Sequence, residues 1–247
     1  MGHRARLGIS KIALAVGLVA VVAVAGIAIY MTSAPSGSTT AQQSTTSLSS
    51  TGAGLVMGIS PAMPLVAPGQ TQNYSLIQLS SLAGAVIQET LSMRASAPTG
   101  ISIVLNKTSV SLADNPQSVE FQVKADPGVS PGNYRVAISV SSPSIRPLNQ
   151  TFNVEVVPVL VIIQGLAFHP QNITVSRGTP ISWINLDSNI GCCDPGSHNV
   201  VFLSGADGSS PTLKRLDSWS YTFGAAGTVE YYCSIHPYMK GQVTVTG

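Results

Sequence analysis

Tyr231-Tyr232-Cys233-Ser234-Ile235-His236-Pro237-Tyr238-Met239 gathers a thiol, an imidazole and a thioether into seven residues, and Ser197-His198-Asn199 upstream supplies a second imidazole. A metal centre that changes oxidation state with little rearrangement needs a soft thiolate, imidazoles that suit both states, and a weak axial thioether. His198, Cys233, His236 and Met239 offer all four, in the order His, then Cys-x2-His-x2-Met. Copper is the metal this donor set predicts.

The flanking residues supply the scaffold. Thr228 to Cys233 is a β-branched and aromatic run in which Val229, Tyr231 and Cys233 share one face by the period of two, leaving Tyr232 outward. His236 and Met239 fall in a short turn marked by Pro237 and stopped by Gly241. Gln242 to Thr246 then alternates as a strand, with Val243 and Val245 directed to the core. His198, Val200 and Phe202 also share a face, so a neighbouring strand carries the first imidazole to the terminal loop.

These residues resemble a known family, the small blue copper proteins or cupredoxins. Tyr231 to Met239 is similar to the ligand loop of the plastocyanin type and, with two residues between His236 and Met239, still more so to the amicyanin type. His198-Asn199-Val200-Val201-Phe202 resembles the family's first ligand strand. Phe168-His169-Pro170 through Gly178 and Ile181-Ser182-Trp183-Ile184-Asn185 resemble its early strands. The resemblance covers roughly the last 90 residues. It implies a Greek-key β-sandwich with one type 1 copper, His198, Cys233 and His236 as equatorial ligands and Met239 as the axial one. It also implies single-electron transfer through the edge of His236, docking through an apolar patch beside Pro237, and a role for Asn199 in tying the two ligand segments together toward Cys233 and Ser234.

Each donor has a plainer reading. A lone buried Cys usually packs as a small hydrophobe and a lone Met as core filler; the spacing and order together favour ligation. Zinc also accepts one Cys and two His, but its structural sites recruit a fourth Cys or His. His169, beside Pro170, reads as a surface or edge residue. Met57, Met63 and Met93 read as packing.

The chain has 247 residues, 44% hydrophobic and 9% charged, enough for one or two small domains besides any targeting segment. Ile12 to Tyr30 is apolar and free of charge; as a helix it would extend about 28 Å, close to the hydrocarbon thickness of a bilayer. Arg4, Arg6 and Lys11 precede it and no acid does, which predicts a cytoplasmic N-terminus and a chain otherwise on the extracytoplasmic side. Residues 1–31 therefore read as cytoplasmic N-terminus and transmembrane anchor. A cleaved signal peptide ending near Thr32-Ser33-Ala34 is the competing reading, though its apolar region is usually shorter.

Residues 32–54, Ser- and Thr-rich with almost no large apolar side chain, read as a flexible linker. Residues 55–158 contain alternating stretches, Ser102 to Leu105, Val119 to Val123, Tyr134 to Val140 and Phe152 to Val157, among turn signals such as Asp126-Pro127-Gly128 and Pro131-Gly132-Asn133. That spacing predicts an antiparallel sandwich. Pro131 to Val136 resembles a hairpin entry of immunoglobulin-like surface domains, and the absence of His and Cys there predicts a spacer or interaction module. Residues 159–247 complete an all-β chain as the copper-binding domain.

Four sequons, at Asn73, Asn106, Asn149 and Asn172, fit N-glycosylation. With Cys233 assigned to the metal, Cys192 and Cys193 are left over. They can pair with each other, link two chains into a dimer, or take a metal or redox role; an oxidising compartment favours a disulfide. After Tyr30 nine basic residues face ten acidic ones, so electrostatic steering is weak and nothing predicts nucleic-acid binding. Only three His follow the apolar run, too few for a multicopper oxidase or a copper nitrite reductase, and no hydrolytic constellation is legible. The expectation is therefore an electron carrier and not an enzyme, working with redox protein partners. A copper storage or delivery protein is the alternative, and an adhesion module with a passenger copper domain a third.

Overall fold

The computed structural model describes residues 42–43, 48–52, 54–81, 87, 90–112, 116–143, 145–188, 196–203, 206 and 208–247. The expected transmembrane helix and the Cys192-Cys193 pair lie outside them. The chain divides into the units Met1–Ala34 and Pro35–Gly247, and everything described falls in the second. Among the described residues every regular element is a strand, and no helix is long and apolar enough to cross a membrane.

Alternation of apolar and polar side chains produces the first sandwich. Along Gln117–Ala125, Val119, Phe121, Val123 and Ala125 are buried while Ser118, Glu120, Gln122 and Lys124 are exposed. One sheet orders Leu48–Gly52, Leu55–Ser60, Thr71–Ser81, Gln117–Ala125 and Ile101–Leu105; the other orders Leu65–Val66, Leu148–Val156, Gly132–Ser141, Thr90–Ser96 and Ser109–Ser111. Each of the four stretches expected as strands is found, every end within four residues of the expected one. Two strands, Gln42–Gln43 and Leu48–Gly52, fall in the segment expected to be a tether, each at the edge of a sheet. Edge pairing needs only backbone N–H and C=O groups, so a polar segment can join a sheet without a core to bury.

The second sandwich has one sheet of Gln42–Gln43, Ser218–Thr222, Pro180–Asn185, Val159–Gln164 and Ala167–His169, and a second of Asn172–Ser176, Lys240–Thr246, Gly227–Tyr232 and Val201–Phe202. Val159–Gln164 and Pro180–Asn185 pair in parallel, as do Asn172–Ser176 and Lys240–Thr246. Between the sheets Trp183, Trp219, Tyr221, Phe202 and Phe223 form a chain of ring contacts with centroids 4.7 to 5.9 Å apart.

Val159–Gln164 and Pro180–Asn185 have no solvent face. Val161, Ile163, Ile181 and Trp183 enter the second sandwich's core, whereas Leu160, Ile162 and Ile184 join the core of the first. A strand buried on both faces reads as a continuous apolar run, which accounts for Val159-Leu160-Val161-Ile162-Ile163.

Candidate metal centre

Two segments bring the donors together. The terminal segment leaves the strand Gly227–Tyr232 at Cys233 and is closed on itself, Cys233 N–H donating to Met239 O at 3.1 Å and Met239 N–H to His236 O at 2.9 Å. Tyr231 fixes the strand end: its ring lies 4.9 Å from Phe168 and 5.7 Å from Trp183, in edge-on contact with both. Gly241 lies beneath that ring, where a Cβ would run into the phenol. Burial pushes the Tyr231 phenol up to about 12, with the neighbouring Trp183 side chain opposing the shift.

His198 comes from just before the strand Val201–Phe202, not from within it. Its backbone forms an isolated bridge with Leu213, through His198 N–H to Leu213 O at 3.0 Å and the reciprocal bond at 2.7 Å. The Asn185 side-chain amide donates to Gly196 O at 2.7 Å and Leu213 O at 2.9 Å, holding both sides of that bridge. Gly196, at φ 65°, lies so close to the Ser188 carbonyl that no side chain fits.

The result is a buried triad. Cys233 Sγ lies 3.8 Å from Nδ1 of His198 and 3.8 Å from Nδ1 of His236, and the two Nδ1 atoms are 3.1 Å apart. His198 and Cys233 are wholly buried and His236 is 9% exposed. For bonds of about 2.0 Å to nitrogen and about 2.3 Å to sulfur, trigonal placement separates N from S by about 3.7 Å, and two nitrogens 3.1 Å apart subtend about 102°. The three donors therefore fit one ion. Met239 is buried at 2% exposure on the same loop. His198, Cys233 and His236 are thus brought to one point with Met239 following on the same closed loop, and His169 stands apart as an exposed residue, its Nε2 3.0 Å from Gln164 O.

Two further groups surround the triad. Asn199 accepts from Ser234 N–H through Oδ1 and donates to Ser234 Oγ through Nδ2, both at 2.8 Å, so it ties the two ligand segments as the family resemblance implies. The other was not anticipated. Asp187, buried, lies with Oδ2 3.0 Å from His198 Nε2. With Nδ1 given to a metal, Nε2 carries the proton and donates to this carboxylate, which fixes the tautomer and makes the imidazole a stronger donor. Asp187 is held in turn by the N–H groups of Gly165 at 2.6 Å and Leu166 at 3.1 Å. Its signal was present in the sequence: Asn185 and Asp187 continue the inward-facing alternation of Ile181 and Trp183, where a polar residue calls for a polar partner.

Comparison with known proteins agrees with this geometry. Residues 157–246 match the model of the copper binding proteins of the plastocyanin/azurin family. Amicyanin of Paracoccus denitrificans is 32% identical over 91 residues, 35% of this chain and 64% of that protein. Amicyanin-alpha of Methylorubrum extorquens is 33% identical over 34% of this chain and 69% of the relative, and plastocyanin of Scenedesmus fuscus is 33% identical over 33% and 88%. The chain thus spans slightly less than two thirds of the Paracoccus amicyanin. The fold and the His-Cys-His site define a cupredoxin domain. The chain belongs to the plastocyanin/azurin family of copper-binding proteins, and its cofactor is one type 1 copper.

Proposed function

We propose that the chain is a blue copper electron carrier, tethered by residues 12–30 to the outer face of a membrane and passing single electrons between redox proteins. The observation that carries this reading is the convergence of Cys233 Sγ with the Nδ1 atoms of His198 and His236 at 3.1 to 3.8 Å in a buried pocket. His198, Cys233 and His236 are the equatorial ligands in this reading and Met239 the axial one. When bound, copper supplies a one-electron Cu(I)/Cu(II) couple suited to such a mixed donor set.

The protein's residues do the rest. Asp187 holds the Nε2 proton of His198, Asn199 locks the Cys233 segment to the His198 segment, and the closed Cys233–Met239 loop keeps water from the thiolate. His236 is the triad member nearest solvent, and Ile235 and Tyr238 beside it are 46% and 64% exposed. An apolar rim around a ligand imidazole suits brief docking of a redox partner, with electrons crossing at the His236 edge. Residues 55–158 act as an immunoglobulin-like spacer. The apolar run before the tether, with basic residues on its N-terminal side alone, supports the membrane location.

The test is the visible spectrum of the full chain after Cu(II) addition, with Cys233→Ser beside it. The expected result is an intense thiolate-to-copper band, bleached by reductant, restored by oxidant and missing from the variant. Retention of the colour by Cys233→Ser refutes the ligand set. Loss of copper on each reduction refutes electron transfer and favours metal delivery. Protease accessibility of residues 32–247 on intact cells tests the topology.

A further inference from the structure

We propose that Leu186 and Leu216 are positioning residues for the copper centre: their packing on the first sandwich holds the segment that aims Asp187 at His198, so contact between the sandwiches sets the reduction potential. This deepens the electron-carrier reading above and rests on it.

The segment Ile184-Asn185-Leu186-Asp187 faces two ways. Ile184 belongs to the first sandwich's core and Leu186 packs against it, whereas Asn185 and Asp187 point the opposite way, to the loops around His198. A segment of alternating direction cannot shift on one face without shifting on the other.

Three backbone bonds fix its place: Leu186 N–H to Ile163 O at 2.8 Å, Asn185 N–H to Asp217 O at 3.0 Å and Leu216 N–H to Asn185 O at 2.6 Å. The anchor of the carboxylate leads back to the same interface. Gly165 and Leu166, which donate to Asp187, follow the strand Val159–Gln164, whose Leu160 and Ile162 are in the first sandwich's core.

Leu216 adds an independent sign. It sits at φ 69°, a left-handed conformation that costs a bulky residue about 1–2 kcal/mol. Its side chain packs against the first sandwich's core, so the contact offsets the strain. Leu186 and Leu216 are only partly buried, and with Tyr74, Val104 and Phe121 they line a cleft of about 490 Å3.

The consequence for the metal follows from the carboxylate. Asp187 accepting from Nε2–H strengthens His198 as a donor and favours Cu(II). Weakening the 3.0 Å contact favours Cu(I) and raises the potential.

The experiment compares Leu186→Ala, Asp187→Asn and the double variant in the copper-loaded full chain by voltammetry. In the metal-free chain the exchange lifetime of the His198 Nε2 proton is followed by NMR. Asp187→Asn is expected to raise the Cu(I)-to-Cu(II) affinity ratio about tenfold, which is ~59 mV for one electron. Leu186→Ala is expected to act in the same direction by about threefold, to shorten the proton's lifetime, and to add nothing once Asp187 is Asn. Leu216→Gly, which relieves the strain while removing the contact, is expected to follow Leu186→Ala.

An unchanged potential and proton lifetime in a folded Leu186→Ala protein overturns the proposal, as does an equal shift with and without Asp187. Should Leu186→Ala fail to fold, Leu186→Met carries the same comparison. A wild-type protein that does not cycle its copper refutes the electron-carrier reading instead, while proton exchange in the metal-free chain still decides the positioning role.

Discussion

Asn199→Ala separates the tie between the ligand segments from the ligands themselves. The substitution removes two hydrogen bonds, both 2.8 Å, to Ser234 N–H and Oγ. Each is worth about 0.5–1.5 kcal/mol net, and partial exposure of Asn199 lets water replace part of that, so the expected loss is about 1–2 kcal/mol. The effect is local because Asn199 and Ser234 each adjoin a donor residue. Losing the tie frees the Cys233 loop to move relative to His198, while the closures from Cys233 to Met239 remain. Chemical denaturation of the metal-free chain measures the stability term, and voltammetry and the visible band of the copper-loaded chain measure the effect on the site. The potential is expected to move and the band to broaden. Asn199→Asp keeps an acceptor for Ser234 N–H but adds a negative charge near the thiolate, and is expected to lower the potential, since negative charge favours Cu(II). Unchanged stability together with an unchanged potential in Asn199→Ala would refute the role given to this residue.

Gly241→Ala places a Cβ against the Tyr231 ring and is expected to cost about 1–3 kcal/mol by overpacking, read by denaturation; Tyr231→Phe/Gly241→Ala should recover part of it. Tyr231, raised from 10.0 to about 12 in the fold, contributes stability that is full below pH 10 and is lost as pH rises toward 12. The loss approaches about 1.4 kcal/mol per pH unit. Denaturation at pH 9, 10 and 11 should show a shallower alkaline loss in Tyr231→Phe, and an identical slope would remove that account. Ile184→Ala, deleting a fully buried side chain of the first sandwich's core from a strand of the second, is expected to cost about 2–5 kcal/mol. A single cooperative transition that moves as a whole is expected, and two transitions would show that the sandwiches unfold separately.

The metal donors were legible because their chemistry is local. Cys233, His236 and Met239 lie within one turn, and the period of two carries Cys233 inward from Val229 and Tyr231, both of which are buried. The four strands expected between residues 102 and 157 were legible for the same reason: less exposed positions alternate with more exposed ones along each, most regularly in Gln117–Ala125. What depended on distant pairing was not. His198 was placed on a strand, but the structure gives it a single bridge to Leu213, and Leu213 carries no sign of that partnership in its own neighbourhood. The strands Gln42–Gln43 and Leu48–Gly52 pair through backbone at sheet edges, which leaves no trace in side-chain pattern.

The continuous apolar run Val159 to Ile163 had a meaning that a boundary drawn at residue 159 obscures. A strand that closes a free-standing sandwich alternates, because one face meets water; this one does not, because Leu160 and Ile162 meet the first sandwich while Val161 and Ile163 meet the second. The same logic extends to Ile184, Asn185, Leu186 and Asp187, where alternate residues are apolar toward one sandwich and polar toward the copper ligands. An electron carrier gains by keeping its donor geometry in both oxidation states, and here each constraint is a bond within the protein: Asp187 to His198, Asn199 to Ser234, Cys233 N–H to Met239 O. None depends on the charge of the metal for its existence. The first of them is held by the N–H groups of Gly165 and Leu166 in a segment that packs on the neighbouring sandwich through Leu160, Ile162 and Leu186, so in this chain the sandwich without metal donors contributes to the stiffness of the one that has them.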